Sequence, residues 1–434
     1  MSGLANYLLE KGYNVSGSDS TQTEITDSLS RKGAKINYDQ NGSMIDESTD
    51  LIIYTAAVKE DNEEYKKAKA LNIKMVKRAV ALGEIVNDDK LISISGTHGK
   101  TTTTSLTAKV FIDADAEPTV FVGGALDFLN GMTSVCGTNN IAIVEADEYD
   151  RSFHTLRSDI IIITNIEEDH LDYYKDLKDI KESFKKFIQN AKPGCRIIAC
   201  GDDKNIRDLL TEFKDTKVMY YGFDKSNDNV ISEYTAEEHK ITFVLNNEKI
   251  EIGLKGKHNV LNSSAAFLAG IQCGLEADTI KKSLKSFGGV KRRLELKYTN
   301  SVNVYDDYAH HPTEIKATLE ALRSAGAERI ITIFQPHLFS RTRDFYKDFA
   351  HALSGTDVLI LNKIYPAREK AIEGVTSEMI RKEIPSEKET YYIEENKVIL
   401  EKLNEIKKNN DTIVFMGAGN ITDICNEYVN SLKN

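Results

Sequence analysis

Gly96-Thr97-His98-Gly99-Lys100-Thr101-Thr102 follows the apolar run Leu91-Ile92-Ser93-Ile94-Ser95 and precedes residues 103–111, where Leu106, Val110 and Phe111 recur at helical spacing. Strand, glycine loop, helix is the context of a phosphate-binding loop. Glycine lets backbone N–H groups turn toward an anion without a Cβ clash, and the helix N-terminus adds partial positive charge. In such a loop Lys100 reaches the β- and γ-phosphates and the Thr101 hydroxyl faces the Mg²⁺ of the nucleotide. Only Thr97 and His98 separate Gly96 from Gly99, so the loop is a shortened variant of the general pattern.

Outward from the loop, polar clusters again follow apolar runs. Ile141-Ala142-Ile143-Val144 ends in Glu145-Ala146-Asp147-Glu148, and Ile160-Ile161-Ile162-Ile163 leads into Thr164-Asn165-Ile166-Glu167-Glu168-Asp169-His170. Ligands of parallel α/β sheets lie beyond the carboxyl ends of the strands, so these three clusters are expected to share one site. Glu145 is placed to hold Mg²⁺ opposite Thr101, or it is a capping acid. His170 is a second metal ligand or a loop histidine. Asn259 and Asn262 are one helical turn apart, so both amides are able to face one planar base; alternatively Asn259 caps its helix. Arg292-Arg293, beside Gly288-Gly289, reads as a phosphate clamp or a hinge ion-pair site. His310, His311, His337, Arg341 and Arg343 gather cationic or ionisable groups on what read as two adjacent strand ends, a setting for an anionic substrate.

The chain has 434 residues, enough for two or three domains. Its texture divides it into an α/β segment at residues 1–88, a second at 89–293 with a small antiparallel excursion near 217–254, and a third at 294–434. The first segment opens directly in a helix, with Gly12 as its stop, followed by a short strand ending at Asp19. That order places the start inside a βαβ unit whose first strand and glycine turn are absent. A net charge of −11 argues against nucleic acid as a partner. No apolar run approaches membrane-spanning length, so no membrane partner is expected. Five scattered cysteines without zinc-finger spacing suit reduced thiols and a cytoplasmic location.

Six pieces in this order, residues 96–102, 145–148, 164–170, 258–262, 306–312 and 334–343, resemble the Mur ligases, and within them the branch that adds L-alanine. The resemblance implies an α/β protein of three domains. These are an N-terminal Rossmann-like UDP-binding domain, a central P-loop ATPase with a mostly parallel sheet, and a C-terminal Rossmann-like domain. It implies ATP-dependent ligation of L-alanine to the carboxylate of UDP-N-acetylmuramate through an acyl phosphate, with ATP and Mg²⁺ required, by a monomer or weak homodimer. Carried over by position, Gly96, Thr97, His98, Gly99, Lys100, Thr101 and Thr102 hold phosphate. Asn259 and Asn262 contact the adenine and Arg293 a phosphate of ATP, and Thr101, Glu145 and His170 hold metal. Asp19 and the Thr55-to-Val58 loop meet the uridine side, Ser152 binds substrate, and Tyr308, His310 and Arg341 meet the acyl and amino acid groups, with Lys100, His310 and Arg341 catalytic. Many members carry Arg where this chain has Leu338. Two other expectations compete: a ligase recycling a whole tripeptide onto the same sugar, and an impaired ATP-binding protein with an incomplete UDP site.

Overall fold

The computed structural model describes residues 1–238, 240–367 and 369–433. The chain divides into two compact units. The first comprises Met1–Ile166, Lys178–Val230 and Ser264–Ser283; the second comprises Glu167–Leu177, Ile231–Ser263 and Leu284–Asn434.

In the first unit the strand Lys90–Ser95 runs mid-sheet, parallel to Ile141–Glu145 on one side and to Ile160–Ile163 on the other. Beyond Ile160–Ile163 come Arg196–Cys200 and Lys217–Gly222, also parallel; beyond Ile141–Glu145 comes Thr119–Leu126, closed by the antiparallel Met132–Val135. The central strands are almost wholly buried because helices cover both faces of a parallel sheet. Register then places the site. Ile94 pairs with Glu145 and Ser95 with Ile163, so the glycine loop leaves the sheet level with the Glu145 cluster and with Thr164-Asn165. The helix Lys100–Asp113 is buried along most of its length despite four threonines in its first turns. Two of its hydroxyl side chains bond back into the helix, Ser105 to the Thr101 carbonyl at 2.7 Å and Thr107 to the Thr103 carbonyl at 2.8 Å.

The N-terminal residues of this unit form two parallel pairs, Ser16–Ser18 with Lys35–Asn37 and Leu51–Tyr54 with Lys74–Lys77. The opening helix Ser2–Glu10 docks on Met132–Val135, where the buried Asn6 amide donates to the Ser134 carbonyl at 3.3 Å and hydroxyl at 3.1 Å.

The antiparallel excursion expected near 217–254 is narrower than that: Lys217–Gly222 runs parallel in the first unit, and the antiparallel part lies in the second, with Ile231 opposite Leu245 and Ile241 opposite Ile252. Its main sheet runs Glu295–Thr299, Asn303–Asp307, Thr412–Met416, Ile330–Phe334, Val358–Leu361, Glu389–Tyr392, parallel apart from the first pair. One apolar cluster fills each face, around Phe334 and Phe349 on one and Phe415 and Tyr428 on the other. One expectation is corrected here. The loops carrying His310 and His337 do not follow adjacent strands, because Thr412–Met416, the last strand in sequence, inserts between Asn303–Asp307 and Ile330–Phe334. Such an insertion makes a topological switch point, where loops diverge and leave a crevice.

Candidate active site

Two side-chain constellations stand at strand ends, one in each unit. In the first, Gly96 has φ 141° and a Cβ there would lie 2.0 Å from the Thr164 hydroxyl. Gly99, at φ 80°, turns the chain into the helix. Glycine is therefore required at Gly96 for space as well as for φ. Asn165 pins the loop: its carbonyl accepts the Thr97 N–H at 3.0 Å and its side-chain oxygen accepts the His98 N–H at 2.8 Å. Lys100 Nζ donates to the Gly96 carbonyl at 2.6 Å, the Thr97 carbonyl at 3.0 Å and Glu148 at 2.9 Å. Burial disfavours the ammonium, but Glu148 and Asp147 outweigh it and hold the Lys100 pKa above the ordinary lysine value. Burial pushes Glu148 up to about 7 against the pull of Lys100.

Thr101 Oγ1 lies 2.9 Å from Glu145 Oε1, and the other carboxylate oxygen accepts the Gly123 N–H at 2.6 Å. A hydroxyl beside a carboxylate is the oxygen donor set that Mg²⁺ prefers. Gly123 keeps that carboxylate unobstructed, since a Cβ there would stand 2.8 Å from Glu145 Oε1. The residues present therefore fit the ion.

Asp19 and Thr55 each follow a strand of the N-terminal pairs, and their side-chain oxygens accept the N–H of Thr21 at 3.3 Å and of Ala57 at 3.2 Å. Ser152 sits in the helical turns Tyr149–Thr155, just past Asp150 and Arg151, both at positive φ. The ion pair of Lys77 with Asp150 at 3.2 Å ties this segment to the strand Lys74–Lys77.

In the second unit Arg341, on the helix Phe339–Leu353, donates to Asp169 Oδ1 from Nη2 at 2.6 Å and from Nε at 3.2 Å, with both side chains 6% exposed. Burial acts to raise the Asp169 pKa, but Arg341 and nearby histidines overcome it and hold the carboxylate well below its usual range. His170 has φ 54°, with its ring Nε2 3.9 Å from Asp169. Asp169, His170, Leu338, Ser340 and Arg341 line a small cleft of about 10 Å³, room for about one water. Leu338, where the resemblance leads one to expect Arg, is 2% exposed and heads its helix at φ 72°. His310 and His337 approach edge to face at 5.8 Å, and His310 stands 5.3 Å from the Tyr308 ring. Arg293 lies over Tyr308 at 5.0 Å.

Three sequence readings change. Arg343 does not join this cluster: it is half-exposed and paired with Asp344 at 2.7 Å. Asn259 is not a cap, because its helix begins at Lys257 and its amide donates back to the Lys255 carbonyl at 2.8 Å. Its Oδ1 accepts the Asn262 amide at 3.1 Å, so the two side chains face each other. The Arg292-Arg293 pair divides: Arg292 is tied to the carbonyls of Gly417 at 2.7 Å and Gly419 at 3.0 Å, whereas Arg293 faces Glu314 at 3.8 Å. Sequence reasoning also missed Glu148, Asn165 and Asp169 as the groups fixing Lys100, the loop and Arg341. All three lie in stretches it singled out, but an acid cluster does not reveal which acid turns inward.

Models of the Mur ligase family match the chain in three stretches: the family catalytic domain at residues 1–90, the middle domain at 94–270 and the glutamate ligase domain at 292–419. The UDP-N-acetylmuramate–L-alanine ligase of Clostridium kluyveri is 40% identical over 99% of this chain and 95% of its own length. That of Acetivibrio thermocellus is 39% identical over 97% and 91%. The crystal structure of UDP-N-acetylmuramate-alanine ligase from Thermotoga maritima superposes with a TM-score of 0.84 at 26% identity, covering 100% of this chain and 96% of that one. A murein peptide ligase from Psychrobacter arcticus shares the fold, with a TM-score of 0.73 at 24% identity over 99% and 96%.

Proposed function

The chain belongs to the Mur ligase family, and we infer from that premise that it joins L-alanine to the carboxylate of UDP-N-acetylmuramate, driven by ATP, in peptidoglycan precursor synthesis. The observation that carries this reading is the 40% identity, over nearly the whole of both chains, to a ligase of that name. In the first step the muramoyl carboxylate oxygen attacks the γ-phosphorus of ATP and ADP departs with the bonding pair. In the second the alanine nitrogen attacks the acyl carbon, and the C–O bond to phosphate breaks.

The roles of the residues follow from their chemistry. Lys100 and the backbone N–H groups of the glycine loop neutralise charge developing on the transferring phosphoryl group. Thr101 and Glu145 would hold Mg²⁺, together with His170. When bound, the ion screens the β- and γ-phosphates. Asn259, Asn262 and Arg293 contact the nucleotide, and Asp19, Thr55 and Ser152 the UDP-sugar. Tyr308, His310 and Arg341 serve the acyl and amino acid groups. In this reading residues 1–88, 89–293 and 294–434 are the UDP-sugar, ATPase and ligase domains. Among the described residues no helix is long and apolar enough to cross a membrane, and all five cysteines are free thiols, in keeping with a cytoplasmic enzyme.

Phosphate release measured with UDP-N-acetylmuramate, ATP and L-alanine, and in parallel with the tripeptide in place of alanine, tests the reading. Alanine-dependent release is expected. Release with tripeptide alone would move the protein to the recycling reaction, and ATP binding without turnover on either would refute ligase activity.

A further inference from the structure

Glu314 lies outside every motif assigned above, yet it meets two of the residues assigned to ligands. It is the third residue of the helix Pro312–Ser324, and its Oε2 accepts the backbone N–H of His310 at 3.0 Å and of His311 at 3.3 Å, completing a capping box. The same oxygen is 3.3 Å from His310 Nδ1, and Oε1 is 3.8 Å from Arg293 Nη1. Capping alone needs one neutral acceptor; here a carboxylate, 14% exposed, is placed between a histidine and an arginine.

The groups around Nδ1 settle where the His310 proton resides. Nδ1 faces the Tyr308 carbonyl at 2.9 Å and the Glu314 carboxylate at 3.3 Å, and both are acceptors only. Nδ1 therefore carries the hydrogen, and in the neutral ring Nε2 keeps a lone pair. Among the described residues no hydrogen bond meets Nε2. Burial, with Arg341 adding to it and Glu314 and Asp169 opposing, lowers the His310 pKa to about 3, so the ring is neutral throughout the physiological range.

We propose that Glu314 is a positioning residue: it fixes the Nδ1–H tautomer of His310, so that Nε2 accepts an N–H of the amino nucleophile, and it aligns Arg293 toward the nucleotide. This rests on the ligase reading for the identity of the nucleophile. One carboxylate thereby serves both the nucleotide side and the amino acid side of the second unit. An N–H held by Nε2 orients the nitrogen lone pair away from that bond, toward the carbon it attacks.

Glu314→Gln separates this role from capping. Glutamine caps as glutamate does, its oxygen accepting the same two N–H groups in the place of Oε2, but it carries no charge and turns an amide donor toward Arg293 in the place of Oε1. The expected result is an unchanged melting temperature with the dissociation constant of ATP raised about tenfold, the loss of one charge-assisted contact. Ring ¹⁵N resonances, assigned through the His310→Asn spectrum, should show Nδ1–H in the parent and a population of Nε2–H in Glu314→Ala, which removes the carboxylate facing Nδ1 and leaves only the Tyr308 carbonyl. An Nε2–H ring in the parent, a ring wholly Nδ1–H in Glu314→Ala, a parent-like ATP dissociation constant in Glu314→Gln, or Glu314→Gln melting as low as Glu314→Ala would each overturn the proposal. Tautomer and ATP affinity are read without turnover, so failure of the ligase reading is distinguishable from failure of this one.

Discussion

The glycine loop and the His310–Arg341 constellation are built in different ways. The loop is local and made of backbone: residues 96–102 leave one strand, bend at two glycines and are pinned by the next strand's Thr164-Asn165. The second constellation is made of side chains from segments far apart in sequence, with Asp169 and Arg341 separated by 172 positions. Backbone geometry survives most single side-chain changes, whereas a buried ion pair depends on both partners. The loop is thus the part whose chemistry fails when one group is removed, and the constellation is the part whose structure fails.

The sharpest test of that contrast is Lys100→Ala. Removing a preorganised cation should lower turnover by at least about 10²–10³-fold, read as phosphate release at saturating substrates. The Lys100→Ala, Glu148→Gln double variant should fold as well as the parent, because it leaves no unpaired buried carboxylate. Parent-like turnover in the single variant would remove Lys100 from the site. Next is Asp169→Ala, which strands the buried Arg341 guanidinium. A stability loss of about 3–5 kcal/mol in denaturant melts is expected, along with loss of activity. Loss of activity at unchanged stability would show that Asp169 acts on substrate directly and that the constellation is not held by this pair.

A smaller effect concerns acid. Burial lowers the His258 pKa to about 4, against the opposing pull of Glu314. The folded form therefore binds fewer protons than the unfolded chain between that value and the ordinary histidine value of about 6.5. Stability from this group is complete above about 6.5 and falls as pH drops toward 4, so His258→Asn should flatten the stability profile in that window. An identical slope in the variant would refute the assignment. The smallest effect is expected for Arg343→Ala. Its partner Asp344 is a chain neighbour and the guanidinium is half-exposed, so stability should change by under about 1 kcal/mol and turnover should hold. A large fall in alanine affinity there would place Arg343 back in the constellation.

Most of what bears on chemistry was legible as strand-then-polar-loop in the sequence, because buried parallel strands are continuous apolar runs such as Ile160–Ile163. The strands that escaped lack that signature. Glu389–Tyr392 is a partly exposed edge strand, Glu295–Thr299 has its charged residues partly buried and its Leu296 exposed, and Thr119–Leu126 contains Gly123-Gly124. The site residues that escaped were acids and amides, all but Glu314 in stretches already marked, for which composition gives no direction.

The sequence by itself determined the phosphate loop, the order of the strand-end clusters and the family they resemble, because each is a contiguous pattern with its own local physics. Only the tertiary structure decided partners: Glu148 for Lys100, Asp169 for Arg341, Glu314 for His310 and Arg293, and solvent for Arg343. Which charge faces which is fixed by strand order, here by Thr412–Met416 inserting between two earlier strands, and by the cost of burying a charge without its counter-ion. Neither is written in any stretch of sequence short enough to be read alone.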